Sequence, residues 1–384
     1  MRFAYMALLF LDLEETFYNR LSMYQRRLRD KRIPRCALRF FNDSAWLHMF
    51  MSGNDQALLN MTGVTHQAFR LLLDVFDPYW DAYVVDREGN IRVRKKTKRG
   101  RPRIISSLGG LGLVLTWYRT KGARSRNLVM QFGLTSTPMV CWLWFGMCCL
   151  KAALINHPTA RICTPTPEEV EIYKNAISAK YPALKHVWAA IDGCKLRVAE
   201  AQNWREQLTY YNGWQHSHYV NNIFLFSPDG RIRICVLNCP GSWHDSVMSE
   251  HGAYQKMRAI YEETGGQVVV DSAFKIMQGS DGNNMFIKSS QQDPDGTENI
   301  VVNRQATSVR QLSEWGMRMV QGQFPRLKDV LPLEQNKRQT IIHLAVLIYN
   351  FTTSEVGINQ ILNTYMNADE GDFFGQRLEP WNNL

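Results

Sequence analysis

Residues 187–193 read Val-Trp-Ala-Ala-Ile-Asp-Gly, and residues 267–273 read Gln-Val-Val-Val-Asp-Ser-Ala. Each is a short apolar run, the pattern of a strand buried on both faces, and each ends on an acid: Asp192 in the first, Asp271 in the second. An unpartnered carboxylate at the edge of a buried strand is costly. Two such acids meet only if their strands are neighbours, and like charges that close raise one another's pKa unless a cation lies between them. Mg²⁺ suits that arrangement, because it takes oxygen ligands and keeps several waters. A further acid, Asp245, lies between the two in a turn-rich stretch, Gly241-Ser242-Trp243-His244-Asp245-Ser246. The plainer alternative is that each acid caps a helix or turn. Finding the same arrangement twice weakens it.

Strand patterns recur at 219–226 and 231–237, joined by the turn Ser227-Pro228-Asp229-Gly230. Helical patterns follow at 308–321 and 340–349. Strands in succession, then a further strand and helices, imply an α/β fold with a mixed sheet over 166–365. The chain before it reads as helical: an N-terminal region at 1–90, a basic linker at 91–107, and a second helical region at 108–165. In the last, Gly133 separates helices at 127–132 and 138–153, and Thr137-Pro138 is a helix-start signal. This layout resembles a helix-turn-helix unit. Its last helix, Pro-Met-Val-Cys-Trp-Leu-Trp-Phe-Gly-Met-Cys-Cys-Leu, lacks the polar side chains that base edges require, so a core role is expected. Lys121, Arg124 and Arg126 before it could still touch phosphates. Thr166-Pro167-Glu168-Glu169 opens a helix to about 180, and 366–384 form a tail.

The 384 residues are 45% hydrophobic and 21% charged, enough for two or three packed domains. Eight cysteines at irregular spacings read as reduced thiols rather than a disulfide framework. The longest apolar run, 138–150, is too short to span a bilayer. The opening Met-Arg-Phe-Ala-Tyr-Met-Ala-Leu-Leu-Phe turns acidic without a cleavage site and reads as a buried helix. These features point away from an extracellular protein, a membrane protein and a disulfide scaffold. Cys235 and Cys239 with His244 lack the second cysteine pair of a zinc finger, and Ser242 lacks the surroundings of a hydrolase nucleophile.

The formal charge is +10, and two short segments hold the excess. Residues 20–35 carry seven Arg or Lys and one Asp; residues 92–103 carry eight and no acid. Such a local field suits a polyanion. Arg99-Gly100-Arg101-Pro102 resembles an AT-hook core, in which arginines lie in a narrow minor groove and glycine lets the backbone approach its floor. Arg94, Lys95, Lys96, Lys98, Arg99, Arg101 and Arg103 are therefore the candidate DNA contacts. The same run reads equally as a nuclear localisation signal, or as a solvated linker.

Ala-Ala-Ile-Asp-Gly (189–193), Pro-Gly-Ser-Trp-His-Asp-Ser (240–246), Val-Val-Val-Asp-Ser-Ala-Phe (268–274) and the helical Val-Asn-Arg-Gln-Ala-Thr-Ser-Val-Arg-Gln-Leu-Ser-Glu-Trp (302–315) occur in this order. Together they resemble the PIF/Harbinger-type DDE transposases and their domesticated relatives, over about 108–360. The resemblance implies an RNase H-like core that cuts and joins DNA with Mg²⁺, or Mn²⁺ in its place. It implies metal ligands at Asp192, Asp245, Asp271 and Glu314, with Asp192, Asp271 and Glu314 as the catalytic set. Two metal ions would activate the attacking oxygen and stabilise the leaving one. Arg310 and Arg318 lie one turn to either side of Glu314 and would pair with it or contact phosphate. The resemblance further implies nuclear localisation, a separate Myb-like accessory protein at the element's ends, and a homo-oligomer; no membrane partner is expected. A catalytically silent, domesticated DNA-binding protein is the alternative. Met317, Arg318 and Gln321 depart from the family pattern, and Gly322 and Phe324 return to it.

Overall fold

The computed structural model describes residues 33–85, 91–93, 103–122, 125–288, 297–357 and 359–366. The N-terminal helices begin where the sequence supplies hydroxyl or amide caps. Ser44, Asn54 and Thr65 accept from backbone N–H groups at the starts of α1 (Ala45–Met51), α2 (Asp55–Thr62) and α3 (His66–Ala82). A two-stranded ribbon, β1 (Tyr83–Val85) and β2 (Ile91–Val93), follows, and Ser106 caps α4 (Ser107–Arg119). The glycines of α4 have a packing reason. A Cβ at Gly110 would lie 2.5 Å from the Trp80 ring, and one at Gly112 would lie 2.1 Å from Trp46. Both indoles thus rest on bare helix backbone, and the Trp46 Nε1–H donates to Thr116 Oγ1 at 3.1 Å.

Gly133, with φ +64°, ends α5 (Ser125–Phe132), and α6 (Ser136–Leu154) follows. This helix starts two residues before the expected Thr137-Pro138 signal, with Thr135 at its N-cap. Among the described residues α6 is the one helix long and apolar enough to cross a membrane. Here it packs on α3 and α4 and buries Met139, Leu143, Phe145, Met147 and Leu150.

The capping box at Thr166 and Glu169 opens α7 (Pro167–Lys180). A mixed sheet follows, in a mixed α/β arrangement as the strand pattern implied. β3 (Val187–Arg197) leads through α8 (Trp204–Tyr210) and the two-residue β4 (Tyr211–Asn212) into β5 (Ser217–Phe226) and β6 (Ile232–Pro240). Then come α9 (Asp245–Glu250), α10 (Ala253–Thr264), β7 (Gln267–Val270), β8 (Phe286–Lys288) and α11 (Thr297–Gln323). The chain continues into α12 (Gln335–Val356) and α13 (Gln360–Tyr365). The order across the sheet is β6-β5-β3-β7-β8; β4 extends the sheet beside the start of β5. β6, β5 and β3 are antiparallel neighbours, whereas β7 and β8 run parallel to β3.

Both sheet faces are covered, which is why β3 and β7 read as unbroken apolar runs. Trp188, Ile191, Ile223 and Val268 pack with Tyr173 and Met257 of α7 and α10. Ala190, Phe224 and Val269 face Val309, Leu312, Leu344 and Leu347 of α11 and α12, in a core continuous with the N-terminal helices. The 227–230 turn is fastened by a buried ion cluster: Arg233 bonds Asp229 at 2.7 Å and Glu169 at 2.8 Å. β3 does not stop at Asp192, as the apolar run suggested, but continues to Arg197, because β5 accompanies it with pairs out to Arg197↔Tyr219.

Candidate active site

Asp192 lies in the interior of β3, yet it stands at an edge, because the neighbouring β7 ends at Val270. The register Ala190↔Val269 carries Asp192 level with Asp271, one residue beyond that end. Side chains alternate between faces, so both acids fall on the side of Ala190 and Val269, the side that α11 covers. Asp192 Oδ1 accepts from the Gly193 N–H at 2.7 Å, and Asp271 Oδ1 from the Ser272 N–H at 2.7 Å. Burial pushes the Asp192 carboxyl up to about 6; the Gly193 N–H and Arg310 oppose this, and Asp271 and Asp245 add to it.

Asp245 approaches from the opposite side of β3, as the first residue of α9. A Cβ at Gly193 would lie 2.8 Å from Asp245 Oδ2, so the glycine after Asp192 makes room for the second motif's carboxylate. Burial raises the Asp245 pKa, and Lys195 opposes the rise. Two asparagines that sequence reading passed over hold the loop in place. Asn221 Nδ2 donates to Trp243 O at 2.8 Å, and Asn212 Nδ2 to Gly241 O at 3.1 Å. Both are buried; Asn221 is a polar residue inside the 219–226 strand pattern, the one available signal, and Asn212 had none.

Glu314 comes from α11 and lines a cavity of about 330 Å³ with Asp192, Lys195, Met317, Arg318 and Gln321. Its carboxylate pairs with Arg310 at 2.8 Å, the i,i+4 partner that the spacing offered. Met317, Arg318 and Gln321 thus line the site itself. An adjoining cavity of about 440 Å³ shares Lys195 and includes Asp245 and Ala273.

The four acids therefore gather around one stretch of β3, but more openly than a single converging cluster. Among the described residues no three His, Cys, Asp or Glu side chains close up into one ligand group. Like charges in a partly buried place repel one another, and Glu314 pairs with Arg310. Asp192, Asp245 and Asp271 form no ion pair among the described residues, and all three offer oxygen donors, the donor set of a hard divalent cation such as Mg²⁺ or Mn²⁺.

The candidate DNA contacts fare differently. Arg94, Lys95, Lys96, Lys98, Arg99 and Arg101 lie outside the described residues, as does Arg124, while Lys121 and Arg126 are exposed. Arg103 is described, and it is turned inward. Its guanidinium donates to Trp80 O and, at 2.5 Å, to Tyr83 O at the C-terminal end of α3, and it lies over the rings of Trp80, Phe145 and Trp142. Carbonyls at a helix C-terminus and aromatic faces thus meet this cation.

A carboxyl whose folded pKa lies above its ordinary value favours the protonated native state. That contribution is complete below the ordinary value near 3.8 and is lost as pH rises through about 6. Asp192→Asn removes the penalty of the buried charge. In EDTA the mutant is expected to match wild type near pH 3 and to exceed it by about 3 kcal/mol near pH 7. Thermal melts of the two proteins across that range check this; a gap independent of pH would sink it.

Residues 191–350 match a family described as DDE superfamily endonuclease, a span that contains Asp192, Asp245, Asp271 and Glu314. The match supports the DDE superfamily and, with it, a nuclease- or transposase-type function that implies DNA as substrate. No curated protein and no solved structure matches the chain.

Proposed function

We propose that the protein is a PIF/Harbinger-type DDE transposase or endonuclease that cuts and joins DNA phosphodiester bonds. The observation that carries the reading is the level placement of Asp192 and Asp271 on adjacent parallel strands, within a segment that matches the DDE endonucleases. The strand order β6-β5-β3-β7-β8, three antiparallel and then two parallel, supports an RNase H-like core at 166–365. Asp192, Asp271 and Asp245 would hold divalent metal, with Glu314 as the fourth donor. Bound there, Mg²⁺ would activate the attacking water or 3′-hydroxyl and stabilise the leaving oxygen.

The chain's own groups position the substrate. Lys195 lies between the two cavities, where an ammonium neutralises a phosphate oxygen. Arg318 lines the wall beside Glu314 and forms no ion pair among the described residues, which leaves its fork free for a second phosphate. Gly193 lets the Asp245 carboxylate sit against the backbone next to Asp192. In this reading the protein works in the nucleus, as a homo-oligomer and with a Myb-like accessory protein. The 108–165 region serves as scaffold, and the 91–107 linker supplies backbone contacts. The deciding experiment is cleavage of DNA carrying the element's own ends, with and without Mg²⁺; a metal-dependent cut supports the reading and intact DNA refutes it.

The Arg310–Glu314 pair and the open carboxylate arrangement favour a second reading, a domesticated and silent DNA-binding protein. Both readings assign non-specific affinity to the basic segment. Changing Arg94, Lys95, Lys96, Lys98, Arg99 and Arg101 to Gln is expected to flatten the slope of log K against log salt by up to about 5, since each phosphate contact releases counterions. Titrations at several salt concentrations measure this, and an unchanged slope moves the footprint elsewhere.

A further inference from the structure

Trp214 is 87% exposed, more than any other large apolar side chain among the described residues. An indole left in water forgoes one of the largest burial gains a side chain offers. Its position is nevertheless built. Asn212, two residues before it and buried, accepts from the Gln215 N–H at 3.2 Å and donates to Gly241 O at 3.1 Å. The turn that displays Trp214 is thereby fastened to the loop that carries Asp245. Trp243, its ring stacked on His251 at 4.7 Å, lines the same cavity. Lys195, Ser242 and His244 supply polar groups within the roughly 440 Å³ space. The cavity also takes in Ala273, two residues past Asp271, and shares Lys195 with the cavity of Asp192 and Glu314. It therefore lies beside the acids, close to where the next nucleotide of a bound strand would fall.

We propose that this cavity receives one unpaired nucleobase, belonging to a nucleotide next to the phosphate at Asp192 and Asp271. The base face lies on Trp214 and its edge points toward Ser242 and His244. Aromatic walls with a few polar groups and a cation are the chemistry that single-stranded bases use, since every base has a π-face and an edge. A base within an intact duplex has both faces covered, so the ligand is an extruded or single-stranded base. The strand's placement rests on the nuclease reading; the base pocket itself is tested without catalysis.

The experiment measures fluorescence anisotropy in EDTA, with full-length protein and three probes: labelled oligothymidylate, an abasic oligonucleotide of equal length, and a duplex. Trp214→Ala is expected to weaken oligothymidylate binding about tenfold, from the loss of one base stack. Abasic and duplex binding should change by less than about twofold, and Trp214→Phe should restore most of the loss. Equal oligothymidylate affinity for wild type and Trp214→Ala, or an equal loss on the abasic strand, overturns the pocket; the first result would leave Trp214 as a contact for another protein. A Trp214 effect in a protein that never cuts DNA overturns the nuclease reading alone. Cleavage that persists with no Trp214 effect overturns the pocket alone.

Discussion

Asp271→Asn is expected to lower Mg²⁺-dependent cleavage at least about a thousandfold, a loss of about 4 kcal/mol of transition-state stabilisation. Asp271 is the better test residue than Asp192 because it follows the end of β7 rather than lying inside a strand. The amide oxygen of Asn can still accept from the Ser272 N–H, so the turn after β7 keeps its hydrogen bond. What disappears is one formal negative charge beside Asp192 and Asp245. Metal affinity falls, and with it any stabilisation that Mg²⁺ gives to the native state alone. Thermal melts should therefore show a clear Mg²⁺ shift for wild type and a smaller one for the mutant, while DNA affinity in EDTA stays within about twofold. A silent binder predicts something else: no cut by wild type and no Mg²⁺ shift in either protein. An Asn variant that cuts as fast as wild type removes Asp271 from the catalytic set.

The pairing of Asp192 with Asp271 was legible because two buried apolar runs each stop at an acid, a pattern that costs free energy without a reason for it. What the runs could not show was that Asp192 lies mid-strand. Its edge is made by β7 ending at Val270, a property of the neighbour, while β5 carries β3 on to Arg197. The Arg310–Glu314 pair was visible as an i,i+4 spacing, since it is local. The surroundings of Arg103 were not legible, for the opposite reason. It belongs to a charge run by sequence, but its partners are carbonyls at Trp80 and Tyr83 and the face of Phe145, which only the folded helices bring to it. The Asn212 and Asn221 ties to the 241–245 loop are likewise products of strand pairing.

Arg338→Met is expected to destabilise the protein by about 4 kcal/mol, the summed cost of several acceptors left dry and the largest effect on stability foreseen for a single substitution here. Arg338 is fully buried, near the start of α12, and no carboxylate pairs with it among the described residues. Its fork is met by neutral acceptors: Leu333 O at 2.7 Å, Pro332 O at 3.1 Å, Tyr210 Oη at 3.0 Å and the side-chain oxygen of Asn238. Hydrogen bonds to a charged group are stronger than neutral ones, and each acceptor left dry by methionine bears its own desolvation cost. Methionine fills much of the volume but satisfies none of them. Arg338→Lys keeps the charge without the planar fork and should cost about half as much. The effect should also reach the active site. Tyr210 ends α8, and its carbonyl lies so near Gly241 that a Cβ there would sit 2.5 Å away. Loosening Tyr210 loosens the loop that leads to His244 and Asp245. Urea unfolding gives the stability change, and hydrogen exchange at Ser242, whose N–H donates to Thr209 O at 3.3 Å, reports the loop. A methionine variant as stable as wild type would show that the carbonyls find other donors; faster Ser242 exchange at unchanged global stability would confine the role of Arg338 to holding the loop beside the acids.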